Sequence, residues 1–392
     1  MSSVAPVYGS TFEGPEGQED MPYLLTPGPL TTSRGVKLAM LADWGSRDIE
    51  FRNVIADIRR DLLQIANAGE AYECVLMQGS GTFAIEAALA SLTPRGRNPK
   101  TLIVMNGAYG QRAAKILDRI GGRAYETINM GDSMAPTALD VTRVLSQNPK
   151  IEFVFVVHCE TTSGIINPIE DIVAVCKEMG KTVMVDAMSS FGAVPLDMDA
   201  TGMDIMVSSS NKCIEGVPGF SYVLVKRTLL EASAGKSHSV VLDLHDQWQS
   251  MQANGQFRFT PPTHALVAFH EALREFRAEG GLGARQRRYQ TNKDVLVAGM
   301  RRMGFETLLS DEVSGPIIQT FLTPDDANFK FDRFYEALRL RGFAIYPGKL
   351  TACPSFRIGT IGKLDQNIMR AVLAAIRDVL KEMGVKNLKP AK

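Results

Sequence analysis

Val183-Met184-Val185-Asp186-Ala187 and Ser208-Ser209-Ser210-Asn211-Lys212 decide the fold of this chain. The first is an apolar run that stops at a carboxylate, and it predicts a buried strand with Asp186 at its end. The second predicts a strand end that runs into small hydroxyl residues and one lysine. Outward from these, short apolar runs predict strands over 75–77, 101–105, 153–157, 205–208 and 222–226. Helical spacing fills the intervals 49–66, 83–92, 109–120 and 169–179. In the first of these, Phe51, Val54, Ile55, Ile58, Leu62 and Ile65 recur on one face. Strands alternating with helices, the strands nearly all apolar, predict an α/β fold with a mainly parallel sheet covered on both faces.

After about Gly280 the pattern changes. Long amphipathic helices over 286–303 and 331–341 are interleaved with short strands over 317–322, 344–346 and 356–358. The expected organisation is a flexible extension (1–22), a large domain (23–280) and a small C-terminal α/β domain (281–392). The start of the large domain is expected to pack on the small domain or on a partner. The stretch 235–256 is poorly periodic, and no repeat is evident.

The chain has 392 residues, 45% of them hydrophobic and 22% charged, with 43 Lys plus Arg against 43 Asp plus Glu. That balance points neither to nucleic acid nor to a membrane surface. The short basic run Arg285-Gln286-Arg287-Arg288 predicts a solvated helix face. Five scattered cysteines without C-x-x-C spacing argue against a disulfide framework or a zinc site. No apolar run approaches the ~20 residues of a membrane span. The N-terminus lacks a charged n-region followed by an apolar h-region, so the expected location is the cytoplasm.

Polar residues gather at strand ends. Gln78-Gly79-Ser80-Gly81-Thr82 joins a strand to a helix, where free N–H groups and glycines suit an anion, although Ser80 equally suits a plain helix cap. In Asn106-Gly107-Ala108-Tyr109-Gly110, Tyr109 either lies against an aromatic ligand or fills the core. His158-Cys159-Glu160-Thr161-Thr162-Ser163-Gly164 holds more polar groups than a single capping box uses. Strand ends on one edge of an open α/β sheet form its ligand crevice. Arg357, between Phe356 and Ile358, needs an anion, either a protein carboxylate or an acidic substrate group. A carboxylate and a lysine at neighbouring strand ends suit pyridoxal phosphate. Its aldehyde attaches to a lysine, and its ring nitrogen stays protonated beside an anion.

With these residues in place, the chain resembles the fold-type I pyridoxal-phosphate aminotransferases of class V, the subgroup of alanine–glyoxylate and serine–pyruvate aminotransferases. Within it the branch acting on 2-aminoethylphosphonate and pyruvate is the nearer match. The motifs are LLTPGPL with Thr31-Thr32, LMQGSGTFAIEA (76–87), NGAYG (106–110), HCETTSG (158–164), VDAMSSFG (185–192), SSSNKCIEGVPGF (208–220), RFTPPTH (258–264), YPGK (346–349) and FRIGTIG (356–362). The resemblance implies a seven-stranded, mainly parallel sheet and a homodimer with composite sites. It implies that Lys212 attaches to the cofactor and acts as the base, and that Asp186 pairs with the ring nitrogen. Tyr109 would stack on the ring, and Thr161 would lie near its hydroxyl. Ser80, Gly81 and Thr82 would hold the phosphate, with Ser209 nearby and Thr260 arriving from the other subunit. Arg357 would bind the acidic group of the substrate. The family pattern departs at 43–50, where it is usually richer in acidic residues and often has tryptophan in place of Arg47. Arg47 is therefore a candidate second substrate cation. The expected reaction transfers the amino group of 2-aminoethylphosphonate to pyruvate. The alternatives are alanine–glyoxylate or serine–pyruvate transamination and, more remotely, a non-catalytic binding protein of the same fold.

Overall fold

The computed structural model describes residues 21–349 and 353–391. The expected N-terminal extension lies almost wholly outside the described residues. The central sheet has seven strands: β1 (Tyr72–Gln78), β2 (Gly96–Met105), β3 (Arg123–Asn129), β4 (Phe153–Val157), β5 (Thr182–Asp186), β6 (Ile205–Ser209) and β7 (Phe220–Lys226). Their spatial order is β1-β7-β6-β5-β4-β2-β3. β7 runs antiparallel to both of its neighbours, and the remaining pairs are parallel. All five residues of β4 are buried, so both faces of the sheet are covered there. Fully burying each Val or Phe of such a strand is worth about 1.5–3 kcal/mol.

The helices that matter for the site follow β1 and β2: α1 (Gly81–Leu92) and α2 (Ala108–Ile120). Ahead of β1, the helix Ile49–Ile65 buries Phe51, Val54, Ile55, Ile58 and Leu62, the stripe its spacing predicts. The C-terminal part begins with α3 (Gly281–Met303). Its own three-stranded sheet, antiparallel throughout, comprises β8 (Ile318–Leu322), β9 (Tyr346–Pro347) and β10 (Ser355–Gly359). A separate hydrophobic cluster around Phe321, Phe334, Phe356 and Ile376 forms its core, and Leu25 from the N-terminal segment joins it. Tyr23–Leu24 pairs in parallel with Phe343–Ala344, which brings the LLTPGPL segment across between the two cores.

Several expectations need correction. The edge strand β3 and the helix Ala138–Gln147 fill a stretch with no predicted element. β3 reads RAYETIN and buries only Arg123 and Ile128 fully, so it carries no apolar run. The poorly periodic stretch 235–256 contains the helix Leu244–Asn254. Gln247 occupies one of its buried positions, donating to the Leu76 carbonyl at 2.9 Å, and this polar residue breaks the apolar pattern. The predicted strand over 344–346 is two short strands, Phe343–Ala344 and Tyr346–Pro347. The run Arg285–Arg288 is a solvated face only at Arg287. Arg285 is 1% exposed and pairs with Glu279, and Arg288 pairs with both Glu215 and Glu279. Among the described residues no helix is long and apolar enough to cross a membrane.

Candidate active site

A cavity of about 430 Å³ opens at the C-terminal edge of the parallel strands. Seven of the expected residues line it: Ser80, Gly81, Thr82, Tyr109, Asp186, Ser209 and Lys212. Each reaches it by a short path. Asp186 is the last residue of β5, and Ser209 is the last of β6, three positions before Lys212. Ser80 is the N-cap of α1 and makes no side-chain capping bond, so the first N–H groups of that helix face outward without a local acceptor.

Lys212 is held from above. Its Nζ donates to the Pro27 carbonyl at 2.9 Å and to the Gly28 carbonyl at 3.3 Å. Gly28 has a φ of +115°, and a Cβ there would fall 2.7 Å from the Asn211 carbonyl oxygen and 2.9 Å from Lys212 Nζ. Glycine is therefore required where LLTPGPL crosses the lysine. Burial pulls the Lys212 pKa down to about 8, partly countered by Cys213 and Asp186. Burial pushes the Asp186 carboxyl up to about 7, against a hydrogen bond from the Met188 N–H. That bond, at 2.9 Å, engages Oδ1 and leaves Oδ2 without a partner among the described residues.

The HCETTSG run does work that the sequence did not indicate. Glu160 is fully buried, and its oxygens accept from the Tyr109 N–H (3.1 Å), the Thr162 N–H (3.0 Å) and the Thr162 hydroxyl (2.6 Å). Thr162 Oγ1 in turn accepts from the Ala108 N–H at 3.0 Å. Two residues from a neighbouring strand end thus cap α2, the helix that presents Tyr109. Gly107 permits this approach, since a Cβ there would meet Glu160 Cδ at 2.3 Å. Burial raises the Glu160 carboxyl, and the hydrogen bonds from Thr162 and Tyr109 oppose it.

Thr161 is buried beside this cap, and its Oγ1 has no hydrogen-bond partner among the described residues. Its carbonyl accepts from Arg357 Nη1 at 2.7 Å, while Arg357 Nε donates to the Pro347 carbonyl at 3.0 Å. Arg357 is 4% exposed, and burial lowers its pKa. Both of these partners are neutral carbonyls, so the protein-carboxylate reading of Arg357 is not realised among the described residues.

Thr260 and Arg47 lie elsewhere. Together with Ser46 and Arg258 they line a different cavity of about 330 Å³. Neither lines the Lys212 cavity of its own chain.

Three residues of the site were not singled out from sequence. Arg112 lines the Lys212 cavity and donates to Thr82 Oγ1 at 3.1 Å. Its position three residues after Tyr109 places it on the same helix face, and that spacing was the available signal. Lys349 extends over Tyr109, 4.7 Å from the ring centre. Glu160 was visible as a charge at a strand end, but its target at the end of the neighbouring strand, 51 residues earlier in the chain, was not.

The residues fit pyridoxal phosphate. A helix N-terminus beside Ser80, Thr82 and Arg112 suits a phosphate. The unpartnered Asp186 Oδ2 suits a protonated ring nitrogen, and the buried amine of Lys212 suits an aldehyde.

Comparison with known proteins agrees. The family model for class-V aminotransferases matches residues 42–377. A 2-aminoethylphosphonate–pyruvate transaminase of Rhizobium meliloti (strain 1021) is 53% identical over 370 residues, covering 94% of this chain and 96% of the relative. A 2-aminoethylphosphonate–pyruvate transaminase 1 of Paraburkholderia xenovorans (strain LB400) is 51% identical over 371 residues, covering 94% of each. The crystal structure of pyridoxamine–pyruvate aminotransferase from Mesorhizobium loti superposes with a TM-score of 0.85 over 94% of each chain at 24% identity, a likeness of fold. The chain belongs to the class-V aminotransferase family.

Proposed function

We propose that this chain is a pyridoxal-phosphate-dependent transaminase that passes the amino group of 2-aminoethylphosphonate to pyruvate, giving phosphonoacetaldehyde and alanine. The observation behind this reading is the half-buried Lys212 and the buried Asp186 lining one cavity walled by a helix N-terminus, in a chain 53% identical to a transaminase of that name. When bound, pyridoxal phosphate supplies the electron sink for the carbanion formed at the carbon bearing nitrogen.

The chain's own residues do the rest. Asp186 would hold the proton on the ring nitrogen through its free Oδ2. Ser80, Gly81 and Thr82, with the α1 N–H groups and Arg112, hold the phosphate. Tyr109 would lie against the ring, kept in place by the Glu160–Thr162 cap under its helix. Thr161 and Ser209 complete the polar surround. Lys212 Nζ would hold the aldehyde of the cofactor and would serve as the base that takes the proton from the substrate carbon bearing nitrogen. A lysine with a pKa near 8 has far more neutral base at pH 7 than one at 10.5. Arg357 holds the substrate's acidic group, phosphonate in one half-reaction and carboxylate in the other, because a guanidinium fork matches both.

Thr260 and Arg47 share a cavity apart from Lys212, which supports a homodimer in which each chain lends both residues to its partner's site. The test is a coupled assay of the cofactor-loaded protein with 2-aminoethylphosphonate, alanine or serine as donor and pyruvate or glyoxylate as acceptor. The expected best pair is 2-aminoethylphosphonate with pyruvate. Faster turnover of alanine or serine with glyoxylate overturns the assignment.

A further inference from the structure

Among the described residues, three cations stand around Tyr109 and Tyr346 without a carboxylate of their own. The Arg112 guanidinium lies 4.8 Å from the Tyr109 ring centre and Lys349 Nζ lies 4.7 Å from it. Arg357 lies 5.5 Å from the Tyr346 ring, which it faces across the β9–β10 pair. Arg112 hydrogen-bonds a hydroxyl, and Arg357 two backbone carbonyls. Lys349 makes no hydrogen bond among the described residues. The carboxylate that both Lys349 and Arg357 sense is Glu160, whose oxygens are already taken by the helix cap. Arg112 is committed beside Thr82 at the helix N-terminus. Lys349 and Arg357 are the two of the three that hydrogen-bond no side chain among the described residues.

Local geometry ties these two together. Lys349 follows Pro347, the residue whose carbonyl accepts from Arg357, by two positions. Between them, Gly348 lies so close to β10 that a Cβ would fall 2.2 Å from the Ser355 carbonyl oxygen. Only glycine therefore fits where the chain leaves the strand pair next to Arg357. The Lys349 side chain itself is exposed and long. Partial desolvation of its stem together with the fields of Arg112 and Arg357 lowers its pKa, the situation of an ammonium short of an anion.

We propose that Lys349 is the second cation of the acid-group pocket, and that together with Arg357 it makes the site prefer a phosphonate to a carboxylate of equal length. This rests on the substrate reading above. A carboxylate has two oxygens and one charge, which a single guanidinium edge satisfies. A phosphonate has a third oxygen and more negative charge, and Arg357 has already given Nε and one Nη1 hydrogen to carbonyls. An ammonium on a flexible four-carbon stem is suited to the extra oxygen, and with a carboxylate bound it rests on the Tyr109 ring. A fixed fork and a movable point charge let one pocket serve both half-reactions.

The test uses cofactor-loaded protein and two unreactive probes, ethylphosphonate and propionate, with binding measured by calorimetry or by displacement of each other. Lys349→Met is expected to weaken ethylphosphonate about tenfold, the loss of one charge-assisted contact, and to leave propionate nearly unchanged. Lys349→Arg keeps most of the phosphonate affinity. Arg357→Ala weakens both. Equal weakening of both probes by Lys349→Met, or weakening of neither, overturns the proposal. Because the probes do not react, a wild-type protein that fails to turn over 2-aminoethylphosphonate would defeat the substrate assignment while the probe ratio still decides the role of Lys349.

Discussion

Glu215 and Arg288 meet at 2.7 Å, joining the loop that follows Lys212 to the long helix α3 of the C-terminal region. Glu215 is buried and also accepts from the Tyr289 hydroxyl at 2.5 Å. Its N–H closes a turn onto the Lys212 carbonyl at 2.8 Å, with φ at +66°, a conformation unusual for a residue with a side chain. Arg285, one turn earlier on α3, donates to the Cys213 carbonyl. The lysine loop is thus fastened from the far side of the molecule, by the arginines whose sequence pattern suggested a wet surface.

Glu215→Gln is therefore expected to destabilise the protein by about 3 kcal/mol, the lower end for a broken buried pair because Glu279 still pairs with both arginines. Urea denaturation of the cofactor-free protein measures it. A loss below about 1 kcal/mol, the range of an exposed ion pair, would show that the network is not a buried one in solution.

The Asp186–Lys212 pair predicts a site that works against the stability of its own cofactor-free fold. Asp186 titrates near 7 in the fold and near 3.8 as a free side chain, so the fold holds its proton more tightly across that window. Stability accordingly falls as pH rises from about 4 to 7. Lys212 titrates near 8 in the fold and near 10.5 free, so there the unfolded chain binds more protons. Its cost is complete below pH 8 and fades as pH rises to about 10.5. In cofactor-free protein, Asp186→Asn is expected to be more stable than wild type at pH 8, by on the order of 4 kcal/mol. The gap should close towards pH 4. Lys212→Met is expected to be more stable at pH 7, with the gap closing towards pH 10.5. Both loaded variants lose activity by orders of magnitude. Denaturation curves across pH decide the matter, and variants less stable than wild type throughout would contradict the burial argument.

Those two residues were legible because strand ends in this fold are announced by apolar runs. Thr182–Asp186 and Ile205–Ser209 leave little choice of conformation, and the residues at the end of each run must stand at the crevice. The edge strand Arg123–Asn129 escaped notice because its polar residues are half in water. Gln247 and Arg285 escaped because each is buried on a hydrogen bond or ion pair whose partner is remote in sequence. The Glu160 cap on α2 and the crossing of Gly28 over Lys212 are likewise long-range contacts. Local pattern carries no trace of them beyond an unexplained charge and an unexplained glycine.

Arg357→Ala is expected to raise KM for 2-aminoethylphosphonate and for pyruvate together, with the absorbance of bound cofactor unchanged. The guanidinium is buried among neutral carbonyls and awaits an anion. Arg357→Lys restores the charge but not the planar fork, so its recovery is partial. Steady-state kinetics of each half-reaction reads this directly. An effect confined to one substrate would break the shared-pocket assignment and make Arg47 the next cation to replace.

Thr260 and Arg47 give the sharpest test of assembly, because they lie together in a cavity that excludes Lys212. If each chain lends both to its partner, then Lys212→Ala and Thr260→Ala protomers are defective for different reasons and on different sides of the interface. A heterodimer of the two has one site with neither defect and one with both. Random pairing then restores about a quarter of the wild-type rate, from half the dimers with one working site each. The same recovery is expected when Arg47→Ala replaces Thr260→Ala, provided the Arg47→Ala homodimer is itself impaired. Mixing purified variants under conditions that exchange subunits, with heterodimers counted by differential tagging, supplies the measurement. Heterodimers that form without regaining activity would place Thr260 and Lys212 in the service of the same chain. Recovery with Thr260→Ala but not with Arg47→Ala would separate the two residues despite their common cavity and leave Arg47 acting within its own subunit.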